Sequence, residues 1–360
     1  MPTIEEIIGF EAMLGLVEEI ANGVPKVRLP EGLFTLTESM EANRGRFVTS
    51  KGTRQTSKVI RFGAKTEARE RQDLGERQIT LLHSGEHINH NQEVLMMLRD
   101  FDNPRRQDRG RQEVDRQTAT FLKRFENLRI ASVHSALSTG RINIDIDDNL
   151  IPTTSGAAIT IDYLVPADHR DQLGGILGTS WADAGAPILE DMEAIQEKSA
   201  EDTGLVLEHA IYGKNLLTNL ANNTSIKNLL SSDSALASAF GKLTIPNGFL
   251  EMTWWPASRA MYAQADGTLH KWFNPDAVVL IPEPTPDWYA MMEGSELIPT
   301  NLGNVSADAA GALDDLEEVQ GMFSYAHTSN DPVGVKHLAG DNQLPVIKIP
   351  GATFILDTEF

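Results

Sequence analysis

The spacing of apolar and small residues predicts one long helix in the middle of the chain. Its seam consists of Val114, Phe121, Phe125, Leu128, Ser132 and Ser135. Intervals of three, four and seven residues place this seam on one narrow face, and mostly charged or polar residues cover the rest. We expect the helix to begin near Asp108, a suitable N-cap, and to end at Gly140, which suits the left-handed position after a helix. About 30 residues at ~1.5 Å each span about 45 Å, more than a compact core of this chain requires.

The segment before this helix alternates like strands but contains few apolar residues. RFVTS, SKVIRFG and RQITLLHSG have strand-like alternation, whereas KTEARERQDLGERQ is nearly all polar. The pattern predicts a hairpin with a charged tip, which a two-stranded ribbon cannot stabilise alone. We therefore expect the hairpin to lie on another surface. Asn103-Pro104 is expected to break the chain before the helix.

The flanking regions predict further helices and strands. An apolar stripe over residues 4–21 predicts an N-terminal helix, and RINIDIDD and GAAITIDYLV predict strands after the long helix. Residues 181–330 have the pattern of a mixed α/β domain, with Asp266-Gly267 as a hairpin turn. The last thirty residues read as paired strands. The candidate helix caps in this half are Asn215, Asn219, Asn222 and Asn223.

Composition and charge narrow the classes of function. The 360 residues contain no cysteine, which excludes disulfides and thiolate metal sites, and the net charge of −20 argues against a sequence-independent nucleic-acid binder. The acidic N-terminus and the lack of a long apolar run predict a soluble protein used in a cytosol. Residues 44–129 contain 19 basic and 12 acidic residues, whereas residues from 130 onward contain 10 and 31. Opposite charges on one chain favour self-association.

Few motifs suggest catalysis or metal binding. His83, Glu86, His87 and His90 lie within eight positions, but their order is not the His-Glu-x-x-His of a zincin, and a solvated hairpin end is the preferred interpretation. NIDIDDN lacks the glycine and later glutamate of a calcium loop and is better explained as a half-exposed strand. QLGGILG lacks the lysine of a phosphate loop, and GTSWA lacks the frame of a nucleophile elbow. The aromatic WWPASRAMY is expected to pack in a core or interface.

The ordered landmarks of the chain resemble the lambda-like family of tailed-phage major capsid proteins, which have the Hong Kong 97-type capsid fold. The landmarks are VPKVRLPEGLF, SKVIRFG, ERQITLLHSGEHI, ALSTGRINID, AITIDYLVP, SWADAGAPILEDM, LVLEHAIYGKNLLTNL, YAQADGTLHKWFNPDAVVLIPE and DPVGVKHLAGDNQLPVIKIPGATFIL. The resemblance rests on their order from about residue 24 onward more than on any single motif. It implies an α+β fold in which the long helix is the spine of a peripheral domain.

The resemblance also implies a division of the chain. Residues 1–50 would form an N-terminal helix and arm, 51–92 an extended hairpin loop, and 93–184 the peripheral domain. Residues 185–325 would form an axial α/β domain, and 326–360 would return as strands to the peripheral domain.

The function that the resemblance implies is structural. The protein would be a major capsid subunit that forms hexamers and pentamers of an icosahedral shell around phage DNA, without catalytic role, cofactor or metal. Scaffold, portal and cement proteins would be its possible partners, and the host cytoplasm the place of assembly. The charge pattern adds candidate inter-subunit contacts at Arg54, Arg61, Arg69, Arg71 and Arg77. The alternatives are a metal-dependent enzyme using the His83–His90 cluster, a nucleic-acid-binding protein, and a non-viral encapsulating shell of the same fold.

Overall fold

The structure is a computed structural model. It describes residues 29–40, 44–49, 75–90, 92–98, 103–232, 245–246, 248–257, 261–263, 268–271, 273–299, 316–330 and 333–360. The expected helix over residues 4–21, the SKVIRFG stretch and the Asp266-Gly267 turn lie outside these ranges. No described helix has the length and apolar character needed to cross a membrane.

Six α-helices lie within the described ranges. They are α1 Gly32–Thr35, α2 Gln92–Leu98, α3 Pro104–Thr139, α4 Ile188–Asp202, α5 Leu216–Asn222 and α6 Thr224–Ser232. The strands are β1 Thr37–Met40, β2 Arg44–Thr49, β3 Gly75–Thr80, β4 Leu82–His90, β5 Arg141–Ile144, β6 Leu150–Ile151, β7 Ile159–Asp162, β8 Arg170–Asp171, β9 Leu207–Tyr212, β10 Thr253–Pro256, β11 Met261–Ala263, β12 Leu269–Lys271, β13 Ala277–Pro282, β14 Tyr289–Pro299, β15 Leu316–Gln320, β16 Met322–Asn330, β17 Val333–Ile347 and β18 Phe354–Asp357. The content is α+β, as the sequence predicted.

The long predicted helix is α3, but it is longer than expected. It has 36 residues and begins at Pro104, so the expected start near Asp108 is wrong. Proline is favoured at the first helical position because its missing N–H has no partner there in any helix. The predicted end is confirmed, since Gly140 has φ 66° in the left-handed region. A side chain there would also lie 2.9 Å from the Val165 Cγ2.

The seam of α3 is only partly as predicted. Val114, Phe125, Ser132 and Ser135 are buried and Leu128 is half-buried, but every residue from 130 to 137 is buried as well. The expected narrow seam therefore widens to the whole circumference near the C-terminus, where α3 also contacts β13 and β18. The extra burial comes from tertiary structure, because strands from distant parts of the chain cover this end of the helix.

The strands form two main sheets. In the first, β1-β14-β17-β16 follow one another, β4 pairs with β17, and β15 pairs with β14. In the second, the order is β10-β9-β13-β18-β8. Smaller sheets join β6-β5-β7, β11-β12 and β2-β3. The final strands β17 and β18 therefore pair in different sheets rather than with each other.

Two large hydrophobic clusters lie among these helices and sheets, and a smaller one packs Leu122 and Phe125 of α3 on Met322 and Ala339. One contains the C-terminal half of α3 and residues of β14 and β17, and the other surrounds α4, α5 and β9. The strand β18 contributes to both, with Ile355 in the first cluster and Phe354 and Leu356 in the second. Domain boundaries at residues 185 and 325 stay a prediction.

Candidate functional site

The histidine-rich segment forms β4, and its side chains divide between two faces. Successive strand residues point to opposite faces, so His83 and His87 are exposed on one side and Glu86 and His90 face α3. Glu86 Oε2 lies 2.7 Å from the Arg124 Nη1 on α3. A metal site requires its ligands to converge on one point, and these four residues do not. The expected solvated hairpin end is wrong for His90, which is 4% exposed, because β17 pairs along the whole of β4.

His90 lies against a second buried histidine, His337 of β17. The ring centroids are 5.9 Å apart and the planes differ by 21°. Thr118 donates its hydroxyl to the Val114 carbonyl at 2.9 Å, so it accepts from the His337 Nδ1–H at 3.3 Å. Burial lowers the pKa of both rings, and lowers that of His337 to about 4 with a further contribution from His90. Both imidazoles are therefore neutral at pH 7.

Three largely buried charges join α3 to the first sheet. Arg129 donates to both Asp341 carboxylate oxygens at 2.8 and 2.6 Å, and its third nitrogen lies 3.3 Å from Glu293 Oε1. Asp341 is fully buried. Although burial lowers the pKa of Arg129, the charge of Asp341 and the hydrogen bonds to it raise that pKa above its usual value. Burial raises the pKa of Glu293, and Arg129 opposes that shift. Sequence reasoning missed this cluster.

The exposed face of β4 is tied to β14 by polar side chains. His83 Nδ1 hydrogen-bonds with Asn342 Oδ1 of β17, and the Asn342 amide donates to Glu296 Oε2 at 3.1 Å. The root of the predicted hairpin is thus fixed on both faces, by α3 on one and by β14 on the other.

Only one of the five candidate inter-subunit arginines lies in the described part of the chain. Arg54, Arg61, Arg69 and Arg71 lie outside the described residues, whereas Arg77 lies on β3 opposite Phe47 of β2. The two strands β2 and β3 form their own two-stranded sheet. Among the described strands, none adds to this ribbon on either edge.

One cluster has the composition of a metal site, but a lysine fills it. Ligand atoms of Asp168, His169 and Asp202 lie within 4.8 Å of one another. Lys198 Nζ lies 2.7 Å from Asp168 and 2.9 Å from Asp202, and His169 Nε2 lies 2.8 Å from Asp202. The ammonium group stands where a cation would bind, so the cluster holds the 167–169 turn on α4 by ion pairs. Its only signal in the sequence is the Lys198–Asp202 spacing of four on a helix.

The remaining motifs have structural roles. The Asp145 carboxylate of NIDIDDN accepts the backbone N–H groups of Asp147 and Asn149 at 2.9 and 2.8 Å, which stabilises a turn between β5 and β6. Ser180 of GTSWA donates to the Thr358 carbonyl at 3.0 Å. Trp254 is 5% exposed in the second cluster, so the core packing expected for WWPASRAMY is confirmed at that residue, whereas Trp255 is half-buried.

One predicted helix cap is also found in the structure. Asn223 Oδ1 accepts from the backbone N–H groups of Ser225 and Ile226 at 3.0 and 3.2 Å, which caps α6. Asn215, at the start of α5, makes no side-chain cap hydrogen bond.

Comparison with known proteins identifies the kind of chain this is. A family model described as phage major capsid protein E matches residues 24–358. The fold is similar to that of a protein described as a prophage capsid protein of Escherichia coli CFT073, with 14% identity, 97% of this chain and 99% of that chain covered, and a TM-score of 0.53. A phage-related protein from Bordetella bronchiseptica RB50 is 13% identical over 96% of each chain, with a TM-score of 0.48. No curated protein sequence gives a significant match.

Proposed function

Because the matching model spans residues 24–358, the chain belongs to the phage major capsid protein E family, and we propose that it assembles as hexamers and pentamers of an icosahedral phage head. Its role is that of a structural shell subunit with the Hong Kong 97-type fold. The shell would enclose the DNA genome without sequence-specific contacts. No catalytic role is proposed.

The observation that carries this proposal is the isolated ribbon of β2 and β3. These strands pair with each other over six residues each, and no other described strand extends their sheet. A lone two-stranded ribbon is marginal in water, so a covering surface is needed to stabilise it. A neighbouring copy would supply that surface, because β3 continues into β4 and so holds the ribbon at the margin of the first sheet.

The proposal also covers the contacts between subunits, the partner proteins and the site of assembly. We expect each subunit to bury more than about 2,000 Å² against its neighbours through the arm, the hairpin loop and the axial domain. Scaffold, portal and cement proteins are expected partners, and assembly is expected in the host cytoplasm. A non-viral shell of the same fold is the remaining alternative, and neighbouring portal and terminase genes would exclude it.

Electron microscopy tests the proposal directly. The protein is expressed alone and with its neighbouring genes, and each preparation is studied by negative stain and sedimentation. Shells, hexamers or pentamers are the expected result. A monodisperse monomer in both preparations would overturn the proposal.

Reversing the basic charges of the hairpin loop tests its contact with a neighbour. We predict that Arg69→Glu, Arg71→Glu and Arg77→Glu together leave the monomer folded but prevent shells, because the loop meets acidic surfaces of adjacent copies. Circular dichroism checks the fold and sedimentation measures assembly.

The matched control for this variant has the same charge change on exposed lysines elsewhere: Lys214→Glu, Lys227→Glu and Lys271→Glu. We expect the control to assemble more fully than the arginine variant. Normal shells from the arginine variant would contradict the contact.

A further inference from the structure

One face of α3 carries a line of exposed basic residues. Arg105, Arg109, Arg116 and Lys123 are all exposed and follow at intervals of four, seven and seven. At 100° per residue they lie within about 40° of one another, and seven residues separate neighbours by about 10.5 Å along the axis. We call these four residues the basic line. A separate acidic line of Asp108, Asp115 and Glu126 lies about 80° further around the helix.

The basic line is poorly neutralised inside the chain. Arg116 pairs with Glu113 at 2.9 Å and remains 74% exposed, whereas the other three residues form no ion pair with any described side chain. Arg105 and Arg109 are like charges four residues apart, which destabilises a helix. Beside Arg116, an open groove of about 400 Å³ runs between α3 and β4, lined by His87, Gln117 and Thr120 among others. The groove therefore adjoins the basic line at Arg116.

The outer face of α4 has the opposite charge and a matching spacing. Glu190, Glu193, Glu197 and Glu201 are exposed, and they fall within about 80° of one another around the helix. We call them the acidic line. None of the four forms an ion pair with a described residue. Glu193–Glu197 and Glu197–Glu201 are like charges at a spacing of four, and Glu201 lies near the C-terminus, where the helix dipole disfavours an anion.

We propose that the acidic line of α4 in one subunit docks on the basic line of α3 in a neighbouring copy. This contact rests on the proposed function as a shell subunit and names one of its interfaces. Glu190 and Glu197 are seven residues apart, as are Arg109 and Arg116, so both pairs repeat at about 10.5 Å. A second copy is favoured over nucleic acid because the chain carries a net charge of −20, which opposes the approach of a polyanion.

Charge reversal and re-pairing test the contact. The α3 variant contains Arg109→Glu, Arg116→Glu and Lys123→Glu, and the α4 variant contains Glu190→Lys, Glu193→Lys and Glu197→Lys. Each is expected to reduce the fraction of protein in shells at least tenfold by sedimentation, with the monomer still folded by circular dichroism. The combined six-residue variant restores opposite charges across the contact and is expected to regain at least half of the wild-type assembly.

A matched control separates pairing from net charge. The α3 variant is combined with Glu208→Lys, Glu251→Lys and Glu359→Lys, which are exposed glutamates outside α4. This control has the same net charge as the six-residue variant but no complementary pair, so it is expected to stay unassembled. If a triple variant loses its helical signal, a double variant replaces it in the same comparison. The α3 double is Arg109→Glu with Lys123→Glu, and the α4 double is Glu190→Lys with Glu197→Lys.

The outcomes distinguish this contact from the function on which it rests. Wild-type protein that forms no shells would overturn the proposed function. Wild-type shells together with normal assembly of either reversed variant would overturn only this contact. Failure of the six-residue variant to recover assembly would also overturn this contact. An α3 variant that assembles normally but retains less DNA would overturn it as well, since the basic line would then bind the genome.

Discussion

Replacing Arg129 by methionine is expected to destabilise the folded subunit strongly. The change leaves the fully buried Asp341 and the largely buried Glu293 without their cation. Removing one partner of a buried ion pair costs about 3–5 kcal/mol, because the remaining charge is left unpaired away from water. Methionine keeps most of the packing of the arginine stem, so the loss is mainly electrostatic.

The magnitude can be worked out from protonation. The cheapest response of the folded variant is to protonate the orphaned carboxylate. An aspartic acid with a reference pKa of about 3.9 costs about 1.4 kcal/mol per pH unit to protonate, or about 4 kcal/mol at pH 7. The loss in free energy of unfolding is therefore expected to be about 3–4 kcal/mol at pH 7 and to shrink to about 1–2 kcal/mol at pH 5.

Urea unfolding of unassembled subunits, followed by tryptophan fluorescence, measures this loss. Arg124→Met is the control, because Arg124 is half exposed in its pair with Glu86 and is expected to cost less than about 1 kcal/mol. The double variant Arg129→Met with Asp341→Leu removes both members of the bidentate pair, leaves only Glu293 without its cation, and is expected to recover at least half of the loss. If Arg129→Met cost no more than Arg124→Met, or if its cost did not change with pH, the reasoning would be refuted.

Two further predictions concern the contact of β4 with β17. Burial holds the folded pKa of His337 at about 4, below an unfolded value of about 6.5, so its stabilising contribution is complete above pH 6.5 and is lost as pH falls towards 4. His337→Gln should reduce the fall in the free energy of unfolding between pH 7 and pH 5 relative to the wild-type protein, measured by urea titration; an equal fall in the variant and the wild type would contradict this. Gly340→Ala would place a Cβ well inside van der Waals distance of the Phe323 ring and should cost about 1–3 kcal/mol. Its pairing partner Gly85 has no atom nearer than 3.7 Å, so Gly85→Ala should cost clearly less in the same assay, and equal costs would count against the packing argument.

The sequence predicted local features better than it predicted where distant segments meet. The helical spacing of apolar residues predicted α3, and Gly140 predicted its end. Both signals are local, because they depend only on neighbouring residues. The start was missed because Asn103-Pro104 was taken as a break, although a proline is compatible with the first turn of a helix. The full burial of residues 130–137 has no local signal, since strands far along the chain cover them.

The charged cluster shows the same limit. Arg129 and Asp341 are 212 residues apart, so their bidentate pair cannot be read from spacing. One local clue existed, because Arg129 falls four residues after Phe125 on the buried side of α3. An arginine at such a position requires a buried acid, but nothing local identifies which one. The strand character of β4 was similarly available from RQITLLHSG, whereas its pairing with β17 was not.

The pairing of β4 with β17 has a consequence for the order of events during synthesis. Gly85 pairs with Gly340, and the backbone N–H of Trp181 donates to the Thr358 carbonyl, so both main sheets need the last part of the chain. A nascent chain lacks these strands until they have emerged from the ribosome, and contacts this distant in sequence form late. We therefore expect each subunit to complete the surfaces that hold its hairpin only after β17 and β18 have been made. Its entry into a growing lattice is expected to wait for those two strands.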